Sequence, residues 1–126
     1  MTTNAQKDFQ IVDLTPYGDI TANLANQQMH ITNNLNEDGL PFGGSASAIG
    51  LHVDFQKGPL GENGHNGCFV EDLLIAAIER LEFYQASKFN CAANAKAIHH
   101  LRIGLKELEM RTAERKERGV EGTHEV

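Results

Sequence analysis

Residues 70–119, VEDLLIAAIERLEFYQASKFNCAANAKAIHHLRIGLKELEMRTAERKERG, decide the fold. Val70, Leu74, Ala77, Leu81 and Tyr84 recur at intervals of 4, 3, 4 and 3, and Ile98, Leu101, Leu105, Leu108 and Thr112 at 3, 4, 3 and 4. At 3.6 residues per turn such positions fall on one stripe of a helix, and two apolar stripes of this kind bury each other lengthwise. The spacing predicts an antiparallel helical hairpin, with helices over about 69–87 and 92–118 and Gly119 as the C-terminal stop. At ~1.5 Å per residue the second helix is ~40 Å long and outreaches its partner. Its last turns must project or pack on another subunit.

Upstream the periodicity shortens. Phe9 and Ile11, then Ile20, Ala22 and Leu24, then Met29 and Ile31 read as brief strands. In Ile49–Phe55, residues Ile49, Leu51, Val53 and Phe55 share one face and Gly50, His52 and Asp54 the other, which predicts a half-buried strand. The intervening NNLNEDGLPFGGSASA is rich in turn formers and reads as a loop, centred near Gly43. Between strand and hairpin, GPLGENGHNG places Gly58, Gly61, Gly64 and Gly67 at every third position. Three triplets are too few for a collagen-like helix, and the run lacks the Gly-Lys-Ser/Thr ending of a Walker loop and does not fit GxGxxG. A structural connector is the simpler reading and a phosphate cradle the alternative. The expectation is an α+β chain: one domain over 1–126, with a small N-terminal antiparallel sheet in about 9–57, a Gly-rich connector at 58–67, the helical hairpin at 68–118 and a tail at 119–126.

Composition narrows the function. The chain has 126 residues, enough for one modest core. Its longest apolar run, Leu73–Ile78, is far shorter than the roughly 20 residues of a membrane span, and MTTNAQKD has no signal-peptide character, so the protein is expected to stay where it is made, away from membranes. A net charge of −6 argues against wrapping a nucleic acid polymer, which needs many unopposed Lys and Arg contacts, but leaves room for a small anion at a local basic patch. The two cysteines, Cys68 and Cys91, fall at opposite ends of the first helix, roughly 30 Å apart and beyond disulfide reach, so both read as reduced thiols.

Arg111, Arg115 and Arg118, at i, i+4 and i+7, line one helix face that could grip a diphosphate through planar, paired, charge-assisted bonds. The plainer reading is a solvated face, because Glu107 lies four residues before Arg111 and Glu114 four before Arg118. Phe83, Tyr84 and Phe89 cluster where the hairpin turns, as core plugs or as a stacking platform for a base. The six histidines include no HExxH and no zinc-finger spacing, and His99 and His100 point about 100° apart on a helix, so no metal is expected. There is no GxSxG elbow and no Cys-His or acid/base constellation, which argues against a nuclease or phosphodiesterase and for a binding protein without catalytic residues or cofactor.

The segment FQKGPLGENGHNG, the hairpin after it and the ending RTAERKERGVEGTHEV resemble the hairpin domain shared by phage anti-CBASS and anti-Thoeris sponge proteins. With its preceding strands the whole chain is similar to the first type of Thoeris anti-defence protein. The resemblance covers about 54–126 and implies an immune-evasion protein working in the cytoplasm of the phage-infected bacterium. Such a protein binds glycocyclic ADP-ribose, a cyclic ADP-ribose isomer made by a bacterial TIR enzyme, without cleaving it; cyclic oligonucleotides of CBASS are the alternative or additional ligands. By motif position the resemblance implies ligand-binding roles for Tyr84 (or Phe83, one residue earlier), Asn94, Arg111 and Arg115, with Arg118, Phe89, Thr123 and His124 as further candidates. Asn94 and Arg111 are 17 residues apart, ~25 Å on one helix, too far for one dinucleotide to touch both in one subunit. A pocket built from both ends therefore calls for self-association, as a dimer or hexamer. The alternative of another class is a structural protein whose hairpin only mediates assembly.

Overall fold

The computed structural model describes residues 6–11, by their backbone, and 29–123. Among them, the residues up to Cys68 form one compact unit and those from Phe69 another.

The first unit is a four-stranded antiparallel meander in the order β1-β2-β3-β4, made of β1 (Gln6–Ile11), β2 (His30–Leu35), β3 (Pro41–Ala48) and β4 (Leu51–Phe55). The β2–β3 and β3–β4 links are short turns, as antiparallel neighbours allow. Between β2 and β3 the turn is set by Asn36, a buried side chain whose Oδ1 accepts from the Asp38 N–H at 2.9 Å and the Leu40 N–H at 3.0 Å. The register places Ile31, Ala46 and Val53 in one cross-strand row, and Phe42 and Ala46 are the buried apolar residues among the described residues of this unit.

Two expectations are corrected here. The segment read as a loop around Gly43 is β3, an inner strand paired on both sides. PFGGSASA has none of the branched or aromatic alternation of a strand; it is extended because two neighbours supply its hydrogen bonds, and context outweighs propensity at such a position. The strand expected from Ile49 begins at Leu51, because Ile49, 95% exposed, forms with Gly50 the two-residue turn from β3. Within β4 the alternation holds: His52 and Asp54 are exposed while Val53 and Phe55 are half-buried. The Phe9 and Ile11 positions fall in β1, whereas the Ile20–Leu24 segment lies outside the described residues.

The sheet also explains Gly44. It sits at φ 143° where β3 carries one residue more than β2, between the pairs Asn33↔Gly44 and Leu35↔Pro41. A Cβ there would lie 2.2 Å from the Thr32 carbonyl oxygen. The bulge can therefore be made only by a residue without a side chain.

The Gly-rich connector is ordered by side chains. It contains one turn of helix, α1 (Leu60–Asn63). The Gln56 amide donates to the carbonyls of Gly58 (3.1 Å) and Gly64 (2.6 Å), and its Oε1 accepts from the N–H groups of Asn66 (3.0 Å) and Gly67 (3.2 Å). Asn66 pairs in both directions with the Lys57 backbone, at 2.8 and 2.9 Å. The N–H groups of Asn66 and Gly67, which a phosphate would have to recruit, are thus engaged, and the geometry favours the connector reading. Gln56→Ala is expected to weaken this unit by about 1–2 kcal/mol, since it leaves four bonds of a partly exposed network unmade. Hydrogen exchange reads the effect: the Asn66 and Gly67 amides lose protection while those of the hairpin keep theirs.

The second unit is the hairpin of α2 (Val70–Gln85) and α3 (Ala92–Glu117). The Asp72 carboxylate accepts from the Phe69 N–H at 2.8 Å to start α2, and Cys91 Sγ accepts from the Asn94 N–H at 3.4 Å to start α3. At the far end Gly119, at φ 76°, closes α3 with Val120 N–H on the Arg115 carbonyl and Gly119 N–H on the Lys116 carbonyl, the paired bonds of a Schellman stop. The two buried residues of the hairpin are Ile78 on α2 and Ile98 on α3. On α3 the expected stripe of Ile98, Leu101, Leu105, Leu108 and Thr112 is buried or half-buried. On α2 Leu74, Ala77, Leu81 and Tyr84 of the expected stripe are half-buried, whereas Val70 is more than half exposed and Ile78, unassigned by the spacing, is the most buried. No helix of the described residues is long and apolar enough to cross a membrane.

Candidate functional site

The hairpin gathers the candidate residues into two groups, one at each end. At the turn, Gln85 clasps the backbone of Cys91 from both sides, accepting its N–H at 2.9 Å and donating to its carbonyl at 3.2 Å. Ser87 Oγ donates to the Tyr84 carbonyl (2.6 Å) and accepts from the Phe89 N–H (3.0 Å). Asn94 reaches back from α3 to donate to the Phe89 carbonyl at 3.3 Å. Tyr84, Phe89 and Asn94 are thereby held on one small bonded framework.

The aromatic side chains are not core plugs. Phe83 is 62% and Phe89 64% exposed, while Tyr84 is half-buried. The Phe83 and Tyr84 rings are 6.2 Å apart and inclined at 57°. A residue missed in the sequence joins them: the Arg80 guanidinium lies 4.9 Å from the Tyr84 ring centre and 5.1 Å from that of Phe83, with Nε donating to Tyr84 Oη at 3.3 Å. The signal was present as the i, i+3 and i+4 spacing of Arg80, Phe83 and Tyr84. Of the two aromatic alternatives, Phe83 presents the freer ring face, and Tyr84 supports it from the seam side.

At the other end lie the arginines. Arg111 faces Glu71 of α2 at 3.8 Å, an exposed guanidinium against a largely covered carboxylate, and so links the helices instead of pairing along α3. Arg118 makes the anticipated pair with Glu114, one turn earlier. Arg115, half-buried, continues the seam one step past Thr112, beyond the start of α2, and turns to the tail: it donates to the carbonyls of Val120 (2.9 Å) and Thr123 (3.2 Å). Thr123 is fastened in turn by its own hydroxyl on the Val120 carbonyl. His124 lies outside the described residues. The structure thus groups Arg111, Arg115, Arg118 and Thr123 at the open end and Phe83, Tyr84, Phe89 and Asn94 at the turn. It does not bring the two groups together within one hairpin, as the ~25 Å between Asn94 and Arg111 along α3 requires.

Chemically, flat rings such as those at one end can stack on a base, and planar cations such as those at the other can hold a phosphate. Cys68 and Cys91 are free thiols, and among the described residues no three His, Cys, Asp or Glu side chains converge as metal ligands.

Comparison with known proteins shows the family of the chain. The family model described as the Acb2/Tad1 hairpin domain matches residues 47–113. Over 125 residues the chain is 42% identical to Thoeris anti-defense 1 of Bacillus phage SBSphiJ7, an alignment spanning 99% of this chain and 83% of that protein.

Proposed function

Because the chain belongs to the Acb2/Tad1 hairpin family, alongside Thoeris anti-defense 1, we propose that it is a phage anti-defence protein that sequesters glycocyclic ADP-ribose uncleaved and so blocks Thoeris immunity. The anti-Thoeris role follows from that kinship; the sponge mechanism is our reading of the site. The observation that carries it is the division of the site between the two ends of one long helix. If α3 packs antiparallel against α3 of a second copy, Phe83, Tyr84 and Asn94 of one chain approach Arg111 and Arg115 of the other, and two equivalent pockets arise by symmetry. Stacking then holds the adenine and the guanidiniums hold the diphosphate.

Two features support self-association. The 26 residues of α3 outrun the 16 of α2, leaving its last turns without a partner helix. Ile103 and Met110, seven residues apart and therefore on one face of α3, are 48% and 55% exposed. A sponge acts by stoichiometry, in the cytoplasm of the infected host, and needs a dissociation constant well below the signal concentration instead of turnover. The test is to load the protein with glycocyclic ADP-ribose, remove free ligand, heat-denature and chromatograph the supernatant. Recovery of intact ligand, near one per site, is the expected result; a cleaved product would make the protein an enzyme and end this reading. Running cyclic oligonucleotides through the same procedure tests whether the hairpin takes these ligands as well.

A further inference from the structure

The hairpin carries five arginines, and four of them are held by carboxylates or backbone carbonyls: Arg102 by Glu82 at 2.7 Å, Arg111 by Glu71, Arg118 by Glu114, and Arg115 by the carbonyls of Val120 and Thr123. Arg80 differs. Its neighbours on α2 at i±3 and i±4 are Ala76, Ala77, Phe83 and Tyr84, none of them acidic, and the nearby Glu82 is committed to Arg102. Among the described residues its partners are two aromatic rings and one phenol oxygen. In a chain of net charge −6 this is a cation left without a carboxylate.

Aromatic rings hold a guanidinium by its face, through the π quadrupole, and a guanidinium held by its face keeps its N–H edge for other acceptors. Nε is used on Tyr84, and the side chain is exposed. Beside it lies the exposed ring of Phe83. Ring and cation together fit a ligand that is flat at one point and anionic a few ångströms away, which describes a purine nucleoside carrying a phosphate.

We propose that Arg80 is a specificity-determining residue that recognises a phosphate on the nucleoside whose base stacks on Phe83. The proposal rests on the reading of the aromatic end as the base site. It adds a guanidinium contact to the ligand's diphosphate from the aromatic end, beside those assigned to Arg111 and Arg115 of the second copy. An exposed, charge-assisted contact of this sort changes affinity by roughly tenfold at low salt and is screened at high salt.

The experiment is a pair of NMR titrations with adenosine and adenosine 5′-monophosphate, followed on the amides of α2 and the turn, for the wild type, Arg80→Gln, Arg80→Lys and Phe83→Ala. The wild type is expected to prefer the monophosphate by about tenfold at 50 mM NaCl, with the preference shrinking at 500 mM. Arg80→Gln removes the preference and leaves adenosine binding within about twofold, Arg80→Lys keeps part of it, and Phe83→Ala weakens both ligands. Thermal melts confirm that each variant is folded. An unchanged preference in Arg80→Gln would assign the phosphate to other residues, and an equal loss of both ligands would make Arg80 a mere prop for the rings; either overturns the proposal. So does the absence of any shift with either probe, and that outcome is separable from failure of the sponge, which the glycocyclic ADP-ribose recovery experiment decides on its own.

Discussion

Replacing Arg111 and Arg115 together by alanine is expected to reduce the affinity for glycocyclic ADP-ribose by a thousandfold or more in calorimetric titration. Each guanidinium would make charge-assisted bonds to the diphosphate worth about 1.5–3 kcal/mol, and losing ~4 kcal/mol in all corresponds to about three orders of magnitude. The substitutions also have local effects: Glu71 loses its partner, and the tail loses two anchors at Val120 and Thr123. Truncation after Gly119 separates these contributions. It removes the carbonyls that Arg115 holds but spares both guanidiniums, and it should retain most of the binding. If truncation were as damaging as the double substitution, the tail and not the arginines would hold the ligand. Hydrogen exchange in the middle of α3 should be unchanged in both variants, because the buried Ile78 and Ile98 are untouched.

The second large effect is on stability. Gly44→Ala is expected to destabilise the sheet unit by about 3 kcal/mol, combining a clash with the Thr32 backbone and a φ that residues with a side chain seldom adopt. For a unit of this size that lowers its melting midpoint by roughly 10–20 °C. Gly104→Ala is the control of opposite sign: Gly104 lies inside α3, has an ordinary helical conformation, and a Cβ there meets nothing within 4 Å. It should stabilise the hairpin by about 0.5–1 kcal/mol. Circular dichroism melts of the two variants give the comparison, and a Gly44→Ala protein with wild-type stability would show that the bulge can be remade.

These glycines mark where the sequence could be read and where it could not. The hairpin was legible almost to the residue because its information is local: apolar spacing at 3 and 4 defines the stripe, and Gly119 defines the stop. Strand β3 was illegible because nothing in PFGGSASA prefers extension; its conformation is imposed by β2 and β4, which are distant in sequence. Ile49 misled for a related reason, since the alternation of β4 extends by chance into the turn. At the site, residue types pointed to the arginine face and to the aromatic cluster. The partnerships were another matter. That Arg111 chooses Glu71 over Glu107, that Arg115 turns to the tail, and that Arg80 lies against two rings depend on side-chain choices among several neighbours, which apolar spacing along a helix does not specify.

The fastening of Arg115 bears on what affinity at this end means. A long flexible cation in water must surrender its rotamer freedom when it seizes an anion, whereas Arg115 has surrendered much of it on folding, to the carbonyls of Val120 and Thr123. A phosphate arriving there meets an already aimed side chain but has to compete with acceptors that are permanently tethered beside it. Binding is then an exchange of oxygens around a guanidinium fixed in place, so the tail acts as a built-in rival whose strength sets how weak an anion the pocket will ignore.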